Sequence, residues 1–157
     1  MQITKYKELA KPTNERILST LLISIALIIL AVYLVIKNDT KAFIDPKGNK
    51  IAVVVVDNEA ERIQGLSGRD SLARDEGMLF IFENEDTKRC FWMKDMKFSI
   101  DIIWIDSSKR VVDVKQGAMP ASYPENYCAR GASRYVLEVP SGQAAERGFV
   151  IGAQVKF

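Results

Sequence analysis

The longest feature in the hydrophobic pattern is an apolar run from Ile17 to Ile36 (ILSTLLISIALIILAVYLVI), interrupted only by Ser19, Thr20, Ser24 and Tyr33. Read as a helix, twenty residues rise about 30 Å, the thickness of a bilayer's hydrocarbon core. Neither Pro nor Gly breaks the run. A cleaved signal peptide has a shorter apolar stretch and small residues at its cleavage site. This run instead ends Val32-Tyr33-Leu34-Val35-Ile36-Lys37, so an uncleaved transmembrane anchor over 17–36 is expected after a basic tail over 1–16.

After the run the pattern changes period. Residues 37–49 (KNDTKAFIDPKGN) are mostly polar and read as a tether. Ile51–Val56 (IAVVVV) is a β-branched run and predicts a strand. Asp57 or Asn58 can cap a short helix over Glu59–Gln64 that Gly65 ends. Further strands are predicted at Met78–Phe82, Arg89–Lys94, Phe98–Asp106, Arg110–Lys115, Tyr135–Val139 and Gln154–Phe157, with a helical turn at Gln143–Arg147. Residues 116–133 read as the longest loop. The fold class expected is mainly β: a small barrel-like or sandwich module over 50–157 with one or two short helices, preceded by the transmembrane helix.

Charge refines the address. Lys5, Lys7, Lys11 and Arg16 precede the apolar run, and Lys37, Lys41, Lys47 and Lys50 follow it, so the flanks tie. Arg16 abuts the run directly, and a first apolar segment this close to the start acts as a signal-anchor. The module is therefore expected outside the cytoplasm, on a single-pass membrane protein. Residues 37–157 hold 18 Lys and Arg against 18 Asp and Glu. A neutral module lacks the footprint that phosphate backbones require, so nucleic acid is not an expected partner. The chain has no His, which removes His-based acid–base catalysis, Ser-His-Asp and Cys-His arrangements, and nearly all catalytic zinc sites.

Five blocks in order carry a resemblance: Glu61–Arg69 (ERIQGLSGR), Gly77–Phe82 (GMLFIF), Phe91–Met96 (FWMKDM), Ile100–Asp106 (IDIIWID) and Tyr135–Glu138 (YVLE). Together they resemble the bacterial and archaeal domain-of-unknown-function family number 192, over about residues 50–157. The resemblance implies a compact β fold, often exported or anchored, with no established activity. Ser99 stands where that family often has Pro, and Ala153 where it usually has Asp.

Side chains alternate along a strand, so in FSIDIIWID Asp101 shares a face with Ile103 and Ile105. A carboxylate on such a face is costly unless paired. Glu138, flanked by Val136 and Pro140 on its own face, repeats the situation. Arg62, Arg69, Lys94 and Arg134 are the available cations. Two readings stay open. Ion pairs tie a helical segment to the sheet, or Arg62, Lys94, Asp95, Asp101 and Glu138 line a cleft that binds a small polar ligand, an envelope component or a protein partner. A His-independent hydrolase or lyase using Asp101 or Glu138 with Lys94 is the alternative. Cys90, Met93 and Met96 offer soft sulfurs, but strand geometry points Met93 away from the other two, and core packing is the reading kept. No metal and no cofactor is therefore expected. Ser67 or Ser99 beside Lys94 lacks a framing motif for nucleophilic catalysis. Trp92 and Trp104 are read as core before sugar platforms. Cys90 and Cys128, the chain's two cysteines, form a possible disulfide if the domain is exported.

Overall fold

The computed structural model describes residues 14–38 and 40–157, with side chains of the N-terminal helix described over 17–31. The first thirteen residues of the expected basic tail lie outside the described residues. Helix α1 runs Asn14–Asn38 as one 25-residue element. Two of its hydroxyls bond back onto the helix: Thr20 Oγ1 donates to the Ile17 carbonyl at 2.8 Å and Ser24 Oγ to the Thr20 carbonyl at 2.9 Å. Such back-bonding satisfies a hydroxyl without solvent. Among the described residues, no helix is long and apolar enough to cross a membrane. The chain divides into this helical unit and a second compact unit, Asp39–Phe157.

The second unit is built on eight strands: β1 (Thr40–Ile44), β2 (Lys50–Val56), β3 (Glu76–Asp86), β4 (Cys90–Trp92), β5 (Ile100–Ile105), β6 (Val111–Ala118), β7 (Asn126–Cys128) and β8 (Ser133–Pro140). Two short helices accompany them, α2 (Glu59–Gln64) and α3 (Gln143–Glu146). Six strands form one mixed sheet in the order β1-β2-β3-β8-β5-β6, and β4 pairs with β7 as a separate ribbon. β2 and β3 are parallel, joined through α2, and the other pairs are antiparallel. The barrel-like or sandwich expectation is thus corrected to an open sheet. What comes nearest to closure is the C-terminal segment, where Lys156 bridges Ile44 of β1 and Gln154 bridges Arg110 just before β6.

Two further expectations change. The tether over 37–49 contains β1, whose Phe43 is fully buried and whose five residues pair with β2. The loop over 116–133 contains the end of β6 and all of β7. Both segments are polar on average, and strands of three to five residues whose apolar positions do not alternate give little periodic signal.

Both faces of the sheet are covered. One buries Phe43, Ile51, Leu79, Ile103, Leu137 and Val139 under Ala144, Phe149 and Val155. The other buries Met78, Phe80, Ile102, Trp104 and Val136 under Leu66 and Met93. This explains why β5, IDIIWI, is buried at every position: a strand covered on both sides is a continuous apolar run rather than an alternation. Asn58 caps α2 by accepting from the Glu61 amide at 3.0 Å, and Gly65 ends it with a positive φ of 48°.

Candidate functional site

The register fixes which carboxylates can meet. Asp101 of β5 stands opposite Val139 of β8, and Ile102 stands opposite Glu138. Residues directly opposite share a face, so Asp101 and Glu138 point to opposite sides of the sheet. The two do not line one cleft together. Lys94 and Asp95 are exposed on the turn after β4.

Asp101 is fully buried, and its partners are backbone amides rather than a cation. Oδ1 accepts from the Gly117 amide at 2.8 Å and Oδ2 from the Ala144 amide at 2.8 Å. The first amide is free because the β5–β6 register shifts here: Ile100 pairs with Ala118 but Ile102 with Lys115. Two residues on β6 therefore oppose Asp101 alone, a β-bulge with Gly117 at φ 60°. The second amide lies in the first turn of α3, where helix N–H groups have no internal partner. Asp101 thus joins β5, the β6 bulge and α3. It is structural.

Glu138 is the contrasting case. It is 5% exposed, its cross-strand neighbours are Met78 and Ile102, and among the described residues no hydrogen bond or ion pair reaches its carboxyl. Gly77 lets β3 approach closely there, since a Cβ at that position would lie 2.9 Å from the Glu138 carbonyl. Burial alone pushes the Glu138 carboxyl up to about 8, because the charged form loses its hydration and gains no compensating partner. The side chain lines a pocket of about 390 Å³. Phe80 lies buried beside Glu138, α2 and the Gly65–Ser67 turn form one wall, and Cys90, Phe91 and Trp92 of β4 form another.

Arg62 and Arg89 stand half-buried along the same pocket. Both guanidiniums lie over the Phe82 ring, at 5.1 Å and 3.5 Å from its centroid. Each is held by backbone carbonyls. Arg62 Nη1 donates to Ile81 at 3.0 Å and also to Asp57; Arg89 donates to Asn84 at 2.8 Å and to Ser133 at 3.2 Å. Among the described residues neither has a carboxylate ion-pair partner. Burial holds the Arg89 guanidinium below its ordinary value; Asp86 opposes this and the charge of Arg62 adds to it.

Of the residues expected to form a site, Arg62 and Glu138 line this pocket together. Lys94 and Asp95 contribute only main-chain carbonyls: Ser67 Oγ donates to Lys94 at 2.8 Å and the Gly68 amide to Asp95 at 2.9 Å, which ties the pocket's turn to the chain after β4. Arg134 bonds to the Phe82 carbonyl at 3.3 Å. Arg89 and the aromatic wall were not legible beforehand, since nothing in Lys88-Arg89-Cys90-Phe91-Trp92 says that the ribbon folds over β3. Trp104 is core, its Nε1 donating to the Arg89 carbonyl at 3.0 Å. Trp92 is 47% exposed at the pocket's edge. Cys90 and Cys128 face each other across β4 and β7 and are joined by a disulfide. Neither sulfur is then free for soft-metal ligation.

No curated protein matches the chain. A crystal structure of a protein of unknown function from Novosphingobium aromaticivorans DSM 12444 is 28% identical, with a TM-score of 0.68, over 75% of this chain and 84% of that one. A second, from Sinorhizobium meliloti 1021 and described as a candidate transcription regulator, is 27% identical, with a TM-score of 0.67, over 73% of this chain and 89% of that one. The family model of DUF192, an uncharacterized group, matches residues 42–157, β1 to the C-terminus, and the chain belongs to that family.

Proposed function

We propose that the protein is a membrane-anchored, extracytoplasmic module whose pocket at Glu138 binds a small polar ligand. The observation that carries this reading is one carboxyl, buried without a partner at the bottom of an accessible pocket. A buried polar group left unpaired costs about 1–3 kcal/mol, and more if charged. A fold keeps such a group where a ligand satisfies it, and unpaired, perturbed carboxyls cluster at functional sites. The pocket's size and its mix of aromatic walls with charged and polar groups fit binding of a small polar molecule. The anchor rests on the charge-free stretch 17–36, which lies within a single helix. The Thr20 and Ser24 hydroxyls, bonded back to the helix, suit a medium that offers no water. The transcription-regulator description belongs to the Sinorhizobium protein, and the balanced charge of residues 37–157 argues against nucleic acid here.

A fragment screen read by backbone-amide NMR on the full chain in detergent micelles tests the pocket. Shifts should concentrate at Phe80, Phe91, Trp92 and Glu138 for a subset of fragments. A library that moves none of these amides sinks the reading.

A further inference from the structure

We infer that the pocket takes a small ligand with an ammonium group at one end, seated on Glu138 beside Phe80 and Phe91, and an anionic group at the other, met by Arg62 and Arg89. The inference rests on the pocket reading above and names its ligand class. Three observations lead to it. Glu138 is buried and has no partner among the described residues, while its surroundings are apolar on both neighbouring strands. An ammonium group is the complement that gives such a carboxyl both a charge and hydrogen-bond donors. The rings of Phe80 and Phe91 meet edge to face with centroids 4.9 Å apart at the same pocket. An aromatic wall beside a carboxylate suits a cation, which gains from the ring faces as it loses water.

The other end follows from the two guanidiniums. Both stack on Phe82, both are tethered by carbonyls, and neither has a carboxylate ion-pair partner among the described residues. Two neighbouring cations repel each other and attract an anion. A simple amine would meet this repulsion on entry, whereas a zwitterion would not. The titratable groups sharing the pocket with Glu138 are Glu59 and Arg62 from α2, and Asp86, Lys88 and Arg89 from the β3–β4 turn. Among them Asp86 already accepts from the Lys88 amide at 2.9 Å.

The test uses calorimetric titration of the full chain in detergent with 4-aminobutanoate, 6-aminohexanoate and 8-aminooctanoate, a series that scans the spacing between the two ends. At least one member should bind. Acetylating its nitrogen, which removes the ammonium and keeps the carboxylate, should weaken binding by about tenfold or more, as should Glu138→Gln. Converting its carboxylate to the amide should weaken binding about threefold to tenfold, a loss that Arg62→Ala should reproduce without adding to it. Since the ionised carboxylate is the binding form, affinity should rise by up to about tenfold per pH unit below 8, and the rise should vanish in Glu138→Gln. Binding that survives acetylation or Glu138→Gln overturns the ammonium assignment. So does failure of the whole series while other fragments still shift the pocket amides, and in both cases the pocket reading stands. A fragment screen silent at the pocket removes both.

Discussion

Replacing Asp101 by Ala is expected to lower the stability of the β unit by about 4 kcal/mol. The carboxylate accepts from the Gly117 and Ala144 amides, and each orphaned buried donor costs about 1–3 kcal/mol. The space vacated by the carboxyl adds a smaller cavity term. For a domain of this size the loss corresponds to a fall in Tm of roughly 12–24 °C. Asp101→Asn keeps the shape and one acceptor oxygen but turns an amide N–H toward a backbone N–H, so it should lose about half as much. Thermal melts of both variants beside wild type give the comparison. Hydrogen exchange at Gly117 and Ala144 localises the effect, because those two amides should lose protection before the β3–β8 pair does. A melting point within about 3 °C of wild type for Asp101→Ala would show that the bulge and α3 hold without the carboxylate.

The two carboxylates also show how far the sequence reached. Alternation along FSIDIIWID placed Asp101 on the face of Ile103 and Ile105, and the structure buries all three together on one side. It placed Glu138 with Val136, which is buried on the other side. That the two faces are opposite was not available, because it depends on the β5–β8 register, and register is a property of pairing rather than of either strand. The ion-pair reading gives Asp101 a cation as its partner. The partner is instead two amides supplied by a bulge and a helix start, features that leave no side-chain signature beyond Gly117 and Gly142. The strand positions were readable where apolar residues run together, as in Met78–Phe82 and Ile100–Ile105. β1 and β7 were not, since each is too short for its apolar positions to show a period. The open sheet was hidden for a related reason: strand lengths do not reveal that α2 makes β2 and β3 parallel, nor that β8 inserts between β3 and β5.

Glu138→Gln should have the opposite sign from the Asp101 variants, and its size should depend on pH. In the unfolded chain the carboxyl titrates near its ordinary value of 4.5; in the fold, burial pushes it up to about 8. Below pH 4.5 the group is neutral in both states and contributes no penalty. Between 4.5 and 8 the unfolded state has released its proton while the folded state retains it, so stability falls as pH rises across that window and levels off above it. At about 1.4 kcal/mol per pKa unit the full span is roughly 5 kcal/mol, and relaxation around an open pocket should reduce this to about 3. Gln fills the same space and never ionises. The variant should therefore match wild type near pH 4.5, gain steadily through neutrality, and be about 3 kcal/mol more stable at pH 8. Urea denaturation at pH 5, 6, 7 and 8 measures the divergence directly. Binding sites commonly give up stability in this way, and a stabilising substitution that also abolishes ligand binding is what distinguishes a site from a scaffold. Parallel stability curves for the two proteins across that range would mean that Glu138 has a partner in solution and carries no stored penalty.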